Sequence, residues 1–477
     1  MKKKILFLLL LLTVIVVPKT TYAVPAKPPG EGGAPGSSTS VTHSGANTIS
    51  SDTEEDGKEY SSTASAENAL LVTGGTSTIK NITLNKSGND NGDSSDFYGT
   101  NAGILVKDGI ININSGSITT NAQHANAVFA YLSGVINISN TNITTTGDNS
   151  GGVMVTGGGA LTANSCTVKT SGNSSASIRS DRGGGTLTVN KGSYETTGTG
   201  SPAIYSTANI TVNDAELTSK ASEGVVIEGN NSVTLNNTTV TDTNNTLNGN
   251  SETYKNIFIY QSMSGDADEG EARFTAKNSK LITNKGDTIF VTNTKTIIEL
   301  ENNEIINNDN DGAFLRVQSG KWGNSGSNGG DVTLYLTNQK VNGDTILDNI
   351  STLNMSLKNK SIYIGTINNS NTAKNVSLTL SKDSVISLTS DMYVSSLTNE
   401  NSTNSNIYSN DKYKLYVNGE EASINKGTYT DGSNKKTTVK SSTNKVSKNT
   451  NYNKYYIGLG VIVLLLIIII VIVKKNK

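Results

Sequence analysis

An apolar residue, any residue, a second apolar residue, four more residues, then a third apolar one: this pattern recurs along the middle of the chain and leaves few folds open. It reads Ile111/Ile113/Ile118, Ile136/Ile138/Ile143, Leu161/Ala163/Val168, Leu187/Val189/Tyr194, Ile210/Val212/Leu217 and Val233/Leu235/Val240. First positions lie 25, 25, 26, 23 and 23 residues apart. Looser copies follow at Phe274/Ala276/Leu281, Ile298/Leu300/Ile305, Leu334/Leu336/Val341, Met355/Leu357/Ile362 and Leu378/Leu380/Val385. Alternation with a period of two marks half-buried strands, and no stretch carries helical spacing over a full window. A period of twenty-odd residues holding short strands and Gly/Asn turns is one rung of a β-solenoid. Rungs pair through their backbones, so the side chains need only supply inward apolar stacks.

A second strand precedes each of the first copies. Its inward residues are Ile104, Val128, Val153, Ile178, Ile204 and Val225, followed two residues later by Val106, Ala130, Val155, Ser180, Ser206 and Ile227. Those between must face out: Leu105, Phe129, Met154, Arg179, Tyr205 and Val226. A stacked row of large side chains on a polar surface implies a cover or a partner. Two readings stay open for it: a binding face, or coverage by the chain's own arm with Phe97 and Tyr98. The other outward row, Asn112, Asn137, Thr162, Thr188, Thr211 and Thr234, reflects the strand preference of Thr. After the second inward residue come Asn114, Ser139, Asn164, Asn190, Asn213 and Asn236, a column expected at a rung corner with left-handed backbone and stacked amides. Two residues on, every member is small, Cys166 among them, so this lone cysteine reads as part of a stack and not as a nucleophile.

The ends differ from the middle. Residues 1–23 read as a secretory signal peptide: Lys2, Lys3 and Lys4, then an apolar run from Ile5 to Val17, then Thr21-Tyr22-Ala23. Residues 24–65 read as a flexible Gly/Pro/Ser/Thr-rich arm, 66–430 as the solenoid, and 431–454 as a Lys/Ser/Thr/Asn-rich stalk. Residues 455–473 are expected to form one transmembrane helix and 474–477 a cytoplasmic tail, because Lys474, Lys475 and Lys477 follow the apolar run. The expected placement is a single-pass cell-membrane protein with its bulk outside. One cysteine excludes an internal disulfide framework. A net charge of -1 with no basic cluster argues against nucleic acid.

The rung pattern resembles right-handed parallel β-helix proteins of the pectin-lyase-like kind, and the hand is implied by that resemblance alone. The segments Ser95–Gly103, Ile178–Gly185 and Gly200–Ser206 are similar to adhesin-like surface proteins of low-GC Gram-positive bacteria; this likeness runs from about Asn68 to Asp242 and carries no defined activity. Pectin-lyase-like enzymes need clustered acids or an Arg or Lys base. One column here reads Lys107, Tyr131, Thr156, Asp181, Thr207, Glu228. Asp181 and Glu228, about 10 Å apart across two rungs, have the separation of an inverting carboxylate pair. Thr207 intervenes and no third acid aligns, so no catalytic residue is assigned, and local pairing of Asp181 with Arg179 or Arg182 is the competing account. The acidic turns Asp90–Asp96 and Asp309–Gly312 lack the EF-hand pattern, and His43 and His124 have no partner at ligand spacing, so neither metal nor cofactor is expected. The function expected is non-enzymatic, adhesin-like binding of a surface glycan or protein; a polysaccharide-active enzyme and a structural spacer are the alternatives.

Overall fold

The computed structural model describes residues 41–247 and 253–430. The expected signal peptide, residues 24–40 of the expected arm, the stalk, the transmembrane segment and the tail lie outside the described residues. Among the described residues no helix is long and apolar enough to cross a membrane.

The described chain winds into a parallel β-solenoid of about 15 turns. Each turn stacks on the next through in-register parallel pairing. Leu187, Val189 and Tyr194 lie on Leu161, Ala163 and Val168 below, and on Ile210, Val212 and Leu217 above. All nine side chains are buried in one core that runs from Ile49 to Leu415. The preceding strand behaves alike: Ile104, Val128, Val153, Ile178, Ile204 and Val225 are fully buried. Period-two alternation on a parallel stack thus decides which side chains leave water.

Corners follow the Asn column with one shift. Asn190 Nδ2 donates to Asn164 Oδ1, Asn213 to Asn190 and Asn236 to Asn213, each at 2.9 Å, so the amides do stack. The left-handed residue is the next one along: Ser165, Lys191, Asp214 and Asn237 have φ between 49° and 62°. The amide must point along the stack to reach its neighbour, and the tight bend falls one residue later. Beyond the bend, Gly116 has φ 124°, and a Cβ there would meet Ile82 O at 2.1 Å, which explains the small residues in this column. Cys166 belongs to it, is fully buried, and its thiol pKa is pushed up by burial.

Two boundaries need correction. The solenoid starts before residue 66: Thr48–Ile49, Thr53–Asp56 and Glu59–Ser62 pair in register with Leu70–Lys86. Ile49 and Tyr60 supply its inward residues there, hidden in a polar, acidic segment. Near the other end Val341 pairs with Tyr363, not Ile362, and Tyr363 with Ile386, not Val385. The corner between Leu357 and Tyr363 holds two successive left-handed residues, Asn359 and Lys360, so the inward position moves by one. Parallel stacking ends in an antiparallel hairpin, Leu415–Val417 with Glu420–Glu421, across the Asn418-Gly419 turn.

A buried polar column also crosses the core. Thr120, Thr145, Thr170, Thr196, Ser219, Asp242 and Thr283 pair rung to rung and are all fully buried. Three of the threonines donate to carbonyls five residues on: Thr145 to Ser150 O, Thr170 to Ser175 O and Thr196 to Ser201 O. Each of these three hydroxyls closes the loop back to the first strand and is thereby satisfied, as most buried polar groups are, whereas Thr120 Oγ1 in the same column has no partner.

Candidate functional site: an aromatic cleft on the first face

The outward row of the first strand is longer than its sequence spacing reveals. Backbone register carries it from Leu71 through Leu105, Phe129, Met154, Arg179, Tyr205 and Val226 to Phe258, Phe290 and Arg316. Insertions after Asp242 break the spacing, which is why Phe258 and Phe290 escape a fixed-period alignment.

The expected open binding face does not exist over the first rungs. Leu105, Phe129 and Met154 are fully buried in a second apolar cluster with Leu71, Ala102 and Tyr131, against which Tyr98 packs. The cover leaves the solenoid after Lys86 and carries the short helix Asp93–Tyr98. Gly99 ends that helix at φ 73°, and a Cβ there would lie 2.8 Å from Leu105 and 3.1 Å from Phe129. The cover is clamped at its edges. His43 Nε2 donates to Tyr98 O at 2.9 Å, His124 Nδ1 meets Asp96 at 2.9 Å, and Thr156 Oγ1 donates to Phe97 O at 2.8 Å. Both histidines therefore hold the cover, which answers their lack of ligand spacing. Most of it comes from the chain beyond residue 86; the segment before residue 66 contributes His43.

Where the cover ends, ion pairs take over. Arg179 Nη2 pairs with Asp181 at 3.2 Å, both nearly out of water. Arg182 pairs with Asp266 at 2.8 Å and lays its guanidinium 3.9 Å from the Phe97 ring centre. Asp266 lies in the long connection between Lys255–Tyr260 and Glu271–Lys277, so a third acid does approach the first two, from a loop that no rung alignment could place. Burial pushes the Asp181 carboxyl up to about 7, outweighing the opposing pull of Arg179. Glu228 is also raised by burial, against the hydrogen bonds that favour its ionised form. Its Oε2 accepts from Tyr205 Oη at 2.6 Å and Tyr260 Oη at 2.8 Å, and Oε1 accepts from Ser262 Oγ. Both oxygens are occupied within the protein, and Asp181 is held by Arg179. Neither carboxylate is free to work on a substrate as an inverting pair would.

Beside these acids the row opens into a cleft of about 610 Å³. Tyr205, Val226, Phe258, Tyr260 and Trp322 are among its apolar lining residues. Phe258 stacks on Tyr260 with ring centres 4.5 Å apart, and Tyr260 meets Trp322 at 5.6 Å. Trp322 arrives on the connection between Leu315–Val317 and Asp331–Thr337. Asn173, Ser174, Thr199 and Ser222 are its uncharged polar lining residues. Among the described residues the one charged lining residue is Glu223, buried and paired with Lys255 at 3.2 Å; the Lys255 ammonium also sits 4.4 Å from the Phe258 ring centre. Of the six residues expected in a binding face, Tyr205 and Val226 line this cleft.

Behind Glu223 and Lys255 lies Asp242, the acid in the hydroxyl column. Its Oδ1 accepts the Asn244 N–H at 2.6 Å, its Oδ2 has no partner, and burial raises its pKa to about 8. An unfolded aspartate ionises near 3.8. Between about pH 4 and 8 the folded chain therefore holds a proton that the unfolded chain has lost, and stability falls as pH rises through that window. Asp181 adds the same sign up to about 7. Asp242→Asn should raise the melting temperature by several degrees at pH 8 and hardly change it at pH 4, as read by circular dichroism melts.

The remaining candidates are structural. Asp309 accepts the Gly286 N–H at 2.7 Å, Asp90 accepts from Ser95 Oγ, and among the described residues no cluster of three His, Cys, Asp or Glu side chains could hold a metal. Compared with protein-family models, with curated proteins and with solved structures, the chain matches none.

Proposed function

We propose that this chain is a membrane-anchored extracellular surface protein, adhesin-like, that binds a partner without chemically altering it. In this reading the solenoid is right-handed and of the pectin-lyase-like kind, as the resemblance of its rung pattern implies. Residues 1–23 direct export, and residues 455–473 hold the chain in the cell membrane. The observation that carries the proposal is the aromatic cleft: rings held in place by a rigid stack, with polar groups in the same lining, suit recognition. A spacer has no use for it. The enzyme reading has one observation in its favour, the raised pKa values of Asp181 and Glu228 beside the cleft. Against it, the oxygens of Glu228 and the partner of Asp181 are already engaged, where a general acid must reach its substrate.

The test uses cells displaying the full chain. They should adhere to neighbouring or host cells, and external protease should abolish adhesion. Thr199→Arg, which places a long side chain at the cleft mouth, should reduce adhesion at least tenfold. A polysaccharide panel should show no loss of chain length. Adhesion equal to that of cells lacking the protein would leave the spacer; depolymerisation would establish the enzyme.

A further inference from the structure

The cleft has the chemistry of a sugar site, and a particular one. We infer that it binds a short neutral oligosaccharide of pyranose rings. This rests on the binding reading above and names the ligand class for the same cleft.

Three features select that ligand. The first is the mixed lining. Tyr205, Phe258, Tyr260 and Trp322 bring aromatic rings to the lining, and Asn173, Ser174, Thr199 and Ser222 bring amide and hydroxyl groups to it. A pyranose has the same division: C–H groups on its faces and hydroxyls around its edge. Its faces lose water against the rings while its edge exchanges hydrogen bonds with the amides and hydroxyls. A purely apolar ligand would strand the polar groups, and a peptide would leave backbone groups against the aromatic rings.

The second feature is preorganisation. Glu228 accepts from both Tyr205 Oη and Tyr260 Oη, so one buried carboxylate fixes two rings of the platform. Phe258 is held between Tyr260 and Phe290, with ring centres at 4.5 and 5.7 Å. Rings already immobile when the ligand arrives lose little freedom on binding. Glu228 is thus a positioning residue, acting through the two tyrosines.

The third feature is charge. Glu223 is the charged residue in the lining, and Glu228 and Asp266 lie just behind Tyr205 and Tyr260. Three nearby cations are already engaged: Lys255 pairs with Glu223, Arg179 with Asp181 and Arg182 with Asp266. An anionic sugar would enter against these carboxylates, so uronates and other acidic sugars are disfavoured. The volume, about 610 Å³, falls in the range of small-molecule sites and admits more than one ring.

Trp322 is the chain's single tryptophan, so intrinsic tryptophan fluorescence reports on this cleft alone. The full chain in detergent micelles is titrated with cellotetraose, maltotetraose, chitotetraose and a β-galactotetraose, and with tetragalacturonate as the anionic comparison. At least one neutral tetrasaccharide should give a saturable emission change, and tetragalacturonate none. Tyr205→Ala and Thr199→Arg should each raise Kd at least tenfold, the first by removing a ring and the second by filling the mouth from an accessible turn. Glu228→Gln should weaken binding less than Tyr205→Ala, because the amide retains one acceptor for the tyrosines. Silence from all four neutral sugars overturns the inference, as does saturation by tetragalacturonate alone, or a signal unchanged in both Tyr205→Ala and Thr199→Arg. Cell adhesion that Thr199→Arg abolishes, with no response to any sugar, would refute the sugar and leave the binding proposal standing. Absence of adhesion together with a sugar response would do the reverse.

Discussion

Val189→Asp should unfold the solenoid around it, while Thr188→Asp, one residue away, should cost little. Val189 is fully buried in the apolar core, with Ala163 on the rung below and Val212 above. A carboxylate there must either stay charged in an apolar stack or take up a proton, and either costs several kcal/mol. In a repeat protein each rung contacts only its neighbours, so the damage should spread through loss of pairing on both sides. Thr188 is half-exposed and points away from that core. Paired thermal melts and limited proteolysis separate the two; equal midpoints would show that the inward and outward registers are exchanged.

That register was readable because backbone pairing does most of the work in a solenoid. The inward residues of the first rungs repeat at a nearly fixed period, and the looser copies keep the column where insertions break the period: Phe274, Ile298, Leu334, Met355 and Leu378 lie in one column. What escaped reading falls into three physical kinds. A polar residue can be inward, as the Thr145, Thr170 and Thr196 column shows; a search for apolar periodicity passes over it, although the aligned threonines are visible once the rungs are stacked. A corner can gain a residue, as at Asn359 and Lys360, and shift the inward position of the strand that follows it. Long connections break alignment altogether, and these carry Asp266 and Trp322. The cleft is therefore only half legible: Tyr205 and Val226 follow from the period, whereas Trp322 reaches it through a tertiary excursion that the period cannot encode.

The exposed row taught the opposite lesson. Period two says which side chains leave the solenoid core, but it cannot say whether another part of the chain comes back over them. Here the segment after Lys86 does so, with two signals in its sequence: Phe97-Tyr98, which have no place in the rung pattern, and Gly99, which must accept a left-handed backbone against two large side chains.

Phe129→Ser should therefore destabilise the protein rather than leave it unchanged. The ring is fully buried between Leu105 and Met154, beneath Gly99 and within the cluster that Tyr98 joins. Removing it loses the transfer energy of a buried aromatic and leaves a cavity, together about 3–5 kcal/mol for a truncation of this size. Because the cluster lies outside the main core, the loss should fall first on the cover. Its clamps, His43 to Tyr98 O, His124 to Asp96 and Thr156 to Phe97 O, hold its edges but cannot replace the packing under it. Residues 89–102 should become susceptible to protease at temperatures where Val189 and its neighbours still resist, so cleavage should appear before the β-rich circular dichroism signal falls. The break should also reach the cleft, since Phe97 leans on Arg182 and Arg182 holds Asp266. Trp322 fluorescence provides the readout of that coupling. A Phe129→Ser protein that melts like the parent and keeps residues 89–102 protected would show that the cover does not depend on this ring.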